Sequence, residues 1–141
     1  MSVDARARYR LDDQVGYLLR LASQRHTVLF AAGGTDLTPT QFSALMRLAE
    51  GGPCSQNRLG RRAAMDISTI KGVVDRLRAK GLVETRASEE DRRRSVVSLT
   101  PKGAGMIEAL EEAGRAITEE TLAPLTERER KTLVALLRKI G

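Results

Sequence analysis

SQNRLGRRAAMDISTIKGVVDRLRAKGLVETRASEEDRRRSVVSLTPKG, residues 55–103, decides the fold of this chain. Ser55 is placed to cap a short helix, because its hydroxyl can accept a hydrogen bond from one of the unpaired first-turn amides. Leu59 and Ala63, four apart, give that helix one apolar side. Met65 and Asp66 form a turn, with Asp66 as N-cap of a second helix. Ile67, Ile70, Val73, Val74 and Leu77 then recur at steps of three and four, which predicts one buried face. Gly81 ends this helix, since glycine takes up the left-handed conformation without a Cβ clash. Two short β-branched runs follow, residues 82–86 (LVETR) and 95–99 (SVVSL), joined by the charged connection 89–94 (EEDRRR). Helix, turn, helix and hairpin in this order can lay one helix in a DNA major groove and a wing on the neighbouring backbone.

The residue types suit that task. Ser55 and Gln56 open the first helix; Ser68, Thr69, Lys71, Gly72 and Arg76 fall on the sides of the second that the core does not need. Short side chains near the start of this helix permit close approach to base edges, and Lys71 and Arg76 reach phosphates or guanine. On the hairpin, Arg86, Arg92, Arg93 and Arg94 supply positive charge, and an arginine at such a tip can enter a narrow minor groove. Asp91, just before them, can hold a guanidinium in the required rotamer. The net charge of +6 is concentrated here: residues 55–94 carry eleven Lys/Arg against six acidic residues, whereas 101–141 carry seven of each. Phosphate neutralisation wants this distribution. A membrane-surface protein would instead gather its basic residues on one amphipathic helix.

The flanks carry apolar stripes. Residues 12–32 read as a helix in which Val15, Leu19, Ala22, His26, Leu29 and Phe30 share a side, stopped by Gly33 and Gly34. Thr38-Pro39-Thr40-Gln41 is a capping box opening a helix through Ala49, closed by Gly51-Gly52-Pro53. Thr100-Pro101 starts another, with Ile107, Leu110, Gly114, Ile117 and Thr121 in steps of three and four. Pro124 interrupts, and Thr126-Glu127-Arg128-Glu129 caps a last helix bearing Leu133, Leu136, Leu137 and Ile140. This is more apolar surface than one small domain covers. Burial against a second copy would recover about 25 cal/mol per Å² and set two reading helices about 34 Å apart, one turn of DNA.

At 141 residues there is one core's worth of sequence, and the single cysteine rules out an intrachain disulfide framework. A lone histidine and a lone cysteine cannot build a metal site, and neither a Gly-rich phosphate loop nor a nucleophile elbow is present. The expectation is a non-enzymatic, cytoplasmic DNA-binding protein without cofactor or membrane contact, whose N-terminal segment lacks a secretory core.

Across 55–103 the pattern resembles the winged helix-turn-helix of the MarR family of bacterial transcription regulators, and the wing's Asp91-Arg92-Arg93 corresponds to the family's Asp-Arg-Arg signature. The resemblance extends by helix order to the whole chain after residue 10. It implies a mainly α fold with a small β-wing: a single domain over 1–141, the winged portion about 37–100 and dimerisation helices about 11–33 and 101–141. It further implies a ligand-responsive regulator, expected to be a homodimeric repressor on a palindromic site in double-stranded DNA.

The first helix is similar to that of members controlling aromatic-acid breakdown. In them an arginine and a histidine spaced like Arg20 and His26 bind the effector carboxylate between dimerisation helices and DNA-binding domain. The chemistry is apt, since arginine can hold a carboxylate by two parallel hydrogen bonds and histidine can donate another. Tyr17 and Gln24, with Phe42 and Met46, are candidate lining, and a hydroxybenzoate-, hydroxycinnamate- or nicotinate-type acid is the expected ligand. Against this, His26 can equally be an interface residue satisfied by a backbone carbonyl, and Arg20 a solvated arginine. Two other readings remain. Cys54, at the start of the first DNA-binding helix, could serve a redox sensor, because a helix N-terminus lowers a thiol pKa. A winged helix could also be a protein-interaction module, although that would not need three consecutive arginines.

Overall fold

The computed structural model describes residues 8–141 as a mainly helical chain with one small antiparallel sheet. A single 3-10 turn (Leu11–Asp13) leads into α1 (Val15–Ala32), and α2 (Pro39–Gly51) follows. Next come β1 (Cys54–Ser55), α3 (Gln56–Arg62) and α4 (Ile67–Ala79), the hairpin β2 (Val83–Ala87) and β3 (Ser95–Leu99), then α5 (Pro101–Thr121) and α6 (Glu127–Ile140).

Local chemistry sets most of these boundaries. Gln14 caps α1 by accepting from the Tyr17 amide at 2.6 Å. Thr38 and Gln41 form a reciprocal box at the start of α2, as do Thr126 and Glu129 at α6. Those contacts hold the Glu129 carboxyl below its usual range, through hydrogen bonds from the Thr126 amide and hydroxyl. Between α3 and α4 the chain turns at Ala64, whose φ of 57° is a left-handed conformation that a non-glycine residue adopts only where neighbours impose it. Gly81 takes φ 73° just after α4, where the expected stop lies.

The core lies among α2, α3, α4, the sheet and the first half of α5. Leu45, Leu59, Ile70, Leu77, Val74 and Val97 are fully enclosed, each burial stabilising by about 1.5–3 kcal/mol. The sheet differs from the expected two-stranded hairpin. β1 pairs antiparallel with β3, Cys54 opposite Val97, giving the order β1-β3-β2. Cys54 therefore belongs to a strand rather than to the start of α3, and its thiol is buried in the core cluster. A small apolar role fits that place.

α5 is latched to the end of α4 and the base of the wing. The Thr100 amide donates to the Leu82 carbonyl at 3.1 Å, its hydroxyl to that of Gly81 at 2.6 Å, and Lys102 to that of Lys80 at 3.0 Å. Gly103 makes this approach possible, because a Cβ there would fall on the Leu82 carbonyl oxygen. Alanine normally favours a helix interior over glycine by about 1 kcal/mol. At Gly103 the sign should reverse, Gly103→Ala destabilising by roughly 1–3 kcal/mol, because the obstacle is backbone and cannot rotate away. Chemical denaturation of the two proteins checks this, and an unchanged or higher midpoint for the alanine variant would contradict the packing.

Candidate nucleic-acid interface and effector site

The start of α4 is organised by Asp66. Its carboxylate accepts from the Thr69 amide at 2.7 Å, and the Thr69 amide and hydroxyl hold its pKa below the ordinary value. Asp66 thus stays ionised at neutral pH, where negative charge suits a helix N-terminus. Beyond it Ser68, Thr69, Lys71 and Arg76 are exposed. Lys71 pairs with Asp75 one turn on, at 3.2 Å. The Arg76 guanidinium lies back over Gly72, so near that a Cβ on Gly72 would sit 3.1 Å from it. Ile67 departs from the expected buried series. Ile70, Val73, Val74 and Leu77 are enclosed, but Ile67 is 70 % exposed. It occupies the first helical position, and what lies there is an open hollow between α3 and α4 instead of core.

The wing tip is held by its own polar groups. The Ser88 amide donates to the Arg94 carbonyl at 2.9 Å, and the Ser88 hydroxyl accepts from the amides of Glu90 and Asp91. Asp91 accepts from the Arg93 amide at 3.0 Å and pairs with the guanidinium groups of Arg93, at 3.4 Å, and Arg94, at 3.8 Å. The Arg93 side chain is 93 % exposed, so these pairs contribute little to stability; what they do is bias two long side chains toward one direction. Arg86 sits lower on the hairpin and pairs with Glu84 at 2.9 Å. The two share a face because alternate residues of a strand point the same way.

Tertiary structure brings these two parts together. Ser55, Gln56, Asn57 and Arg61 from the β1–α3 region face Arg93, Arg94 and Ser95 across a polar notch of about 390 Å³. Two of the expected residues on each side meet there, and three guanidinium groups line one recess, as a phosphate-binding cleft requires. Asn57 and Arg61 are not among the candidates that the sequence marks. Arg61 lies between Gly60 and Arg62 in a short helix, and nothing local marks it as facing a hairpin tip more than thirty residues further on.

α1 is arranged less simply. Arg20 is exposed and its guanidinium lies 5.7 Å from the centre of the Tyr17 ring, a cation–π contact, while Gln24 is exposed one turn further on. His26 is half-buried. Its Nδ1 meets the hydroxyl of Thr121 at 2.8 Å rather than the backbone carbonyl expected of an interface histidine, and its ring packs edgewise on Phe30. Phe30 in turn meets Phe42 edgewise at 5.4 Å. Six positions separate Arg20 from His26, so they stand about 120° apart around α1 and about 9 Å apart along it. Arg20, Tyr17 and Gln24 form one group; His26 belongs to another with Phe30 and Thr121. Beside it Arg25, which no sequence pattern marks, donates to the carbonyls of Thr121 (2.5 Å) and Glu120 (2.9 Å), closing the C-terminal end of α5.

Comparison with known proteins places this geometry. Residues 35–94 match the MarR family. The NicR transcriptional repressor of Pseudomonas putida is 41 % identical over 134 residues, 94 % of this chain and 85 % of that one. The chain belongs to the MarR family. It is a DNA-binding transcription regulator, and the family is not one of enzymes. A Pseudomonas aeruginosa protein described as a probable transcriptional regulator, known from a crystal structure, superposes with a TM-score of 0.91 at 52 % identity, covering 94 % of this chain and all of that one. Bordetella bronchiseptica BpsR, whose DNA binding is regulated by 6-hydroxynicotinic acid, superposes at 0.89 with 37 % identity, covering 95 % and 97 %. The match confirms the expected winged fold with its flanking helices. No helix among the described residues is long and apolar enough to cross a membrane.

Proposed function

We propose that this MarR-family chain forms a two-fold dimeric repressor, held on a pseudo-palindromic operator by α4 and the wing and released by a small aromatic carboxylate of the hydroxynicotinate or hydroxybenzoate kind. The observation that carries the ligand class is the likeness along nearly the whole chain to BpsR, which answers to 6-hydroxynicotinic acid. The dimer is supported by apolar residues that a single chain leaves bare at both ends: Val15, Leu18 and Leu19 on α1, and Leu136, Leu137 and Ile140 on α6. α6 has no buried residue at all, and an amphipathic helix derives its stability from covering such a face.

In this reading Ser55, Gln56, Ser68, Thr69, Lys71, Gly72 and Arg76 face the duplex with Arg86 and Arg92–Arg94, while Asp91 orients the wing arginines. Arg20 takes the effector carboxylate, and His26 gives up the Thr121 hydroxyl to bind a ring substituent, with Tyr17 and Gln24 alongside. Because His26 and Arg25 both hold the end of α5, drawing His26 away perturbs the joint between α1 and the helix that carries the winged portion. A coupling of about 1–3 kcal/mol would change operator occupancy five- to hundredfold.

The test is a duplex selected by the protein from a random pool, titrated at fixed salt with and without 6-hydroxynicotinate, nicotinamide and 4-hydroxybenzoate. Release by one of the acids and not by the amide, from a complex of two chains per duplex in sedimentation, is the expected result. No release by either acid would end the aromatic-acid reading, and one chain per duplex would end the dimer.

A further inference from the structure

Ile67 is the member of the α4 apolar series that the core leaves uncovered: it is 70 % exposed, while Ile70, Val73, Val74 and Leu77 are each 4 % exposed or less. With Met65, and with the enclosed Ile70 behind it, Ile67 gives the apolar side of a hollow of about 550 Å³ between α3 and the first turn of α4. The rim of that hollow is polar, formed by Asn57, Arg61, Asp66 and Ser68. Lys71 follows one turn along on the same side of the helix. A large β-branched side chain so exposed contributes little to the fold and leaves apolar surface among charges, so its natural complement is an apolar group on whatever docks there. α4 packs against α2, α3 and β2, whereas α1 packs against α5. No residue of α1 or α6, whose bare apolar residues suit a second copy, lines the hollow, and it opens beside the polar groups that suit DNA.

We propose that Ile67 reads a thymine by packing on its C5-methyl group in the major groove. Among the four bases only thymine presents an apolar group in that groove. Isoleucine has no hydrogen bond to offer there, so discrimination against cytosine or purines comes from burying the methyl while Ser68 and Lys71 take neighbouring polar edges. The assignment specifies one base of the operator and rests on α4 being the helix that enters the groove.

A duplex selected by the full chain from a random pool is resynthesised with each thymine in turn replaced by deoxyuridine. That change deletes one methyl and leaves every hydrogen bond intact. At one thymine of the half-site the parent should lose about fourfold in affinity, the worth of one buried methyl. Ile67→Ala should bind the unmodified duplex at least that much more weakly and be indifferent to uracil at that position. The substitution is at an exposed first-turn site where alanine is a good helix former, so an unchanged thermal midpoint accompanies the expected result. A parent insensitive to deoxyuridine throughout, or a variant as sensitive as the parent, overturns the assignment. Ser68→Ala and Lys71→Ala separate the two levels of inference. If both bind like the parent, α4 does not enter the groove. If they weaken binding while the deoxyuridine scan is flat, only the thymine contact fails.

Discussion

Replacing Arg93 and Arg94 together by alanine is expected to weaken operator binding by about a hundredfold while leaving the melting temperature and the state of assembly unchanged. Both side chains are solvated and their bonds to Asp91 are surface ion pairs, so the fold loses almost nothing when they go. In the proposed complex they form one wall of the polar notch whose other wall is Ser55, Gln56, Asn57 and Arg61. In a two-fold complex the double substitution deletes four guanidinium groups. At about 0.7 kcal/mol each, the low end for a net hydrogen bond, these compound to roughly a hundredfold. Salt dependence gives an independent readout, since each phosphate that is no longer neutralised lowers the logarithmic slope by about 0.9. Arg115→Ala serves as the charge control: this α5 arginine pairs with Glu111 and Glu112 away from the notch, so its loss should leave affinity almost unaltered. If the wing variant binds as tightly as the parent, or if Arg115→Ala weakens binding as much as Arg93→Ala, the hairpin tip is not part of the interface.

Arg20→Ala is expected to lower affinity for the aromatic acid at least tenfold without changing operator affinity in its absence. A charge-assisted hydrogen bond is worth about 1.5–3 kcal/mol, and a bidentate one more. Arg20 is exposed, with its guanidinium over the Tyr17 ring, so the variant should fold normally. His26→Ala should have a similar effect on the ligand, but it also removes a ring packed on Phe30 and a bond to Thr121, so its stability is expected to fall as well. Thr121→Val resolves the ambiguity by keeping the volume and deleting only the hydroxyl. If His26 must leave Thr121 to reach the effector, that variant should bind the acid more tightly than the parent. Calorimetric titration alongside thermal melts reads all three variants. Normal ligand affinity in both Arg20→Ala and His26→Ala would leave His26 as a joint between α1 and α5 and place the effector elsewhere.

Several features were legible in the sequence because their causes are local. The capping boxes at Thr38–Gln41 and Thr126–Glu129, and the Asp66 cap, each need only a side chain and an amide three residues on. Their recognition required no knowledge of the rest of the chain. Spacing likewise identified Ile70, Val73, Val74 and Leu77 as the buried face of α4, since helical periodicity is a property of adjacent turns. The charge excess over 55–94 and the wing arginines could be counted directly. What periodicity could not supply was where the core stops. Ile67 keeps the rhythm of its helix, yet lies at the end that projects past the packed layer, so tertiary structure turns it outward. β1 is two residues long, too short for any alternation to show, and exists only because β3 offers it a hydrogen-bonding edge. Arg61 meets the wing, and His26 meets Thr121 ninety-five residues away, through the packing of α3 and α1 onto their neighbours. Contacts between distant segments depend on how whole elements pack, and no window of adjacent residues contains that information.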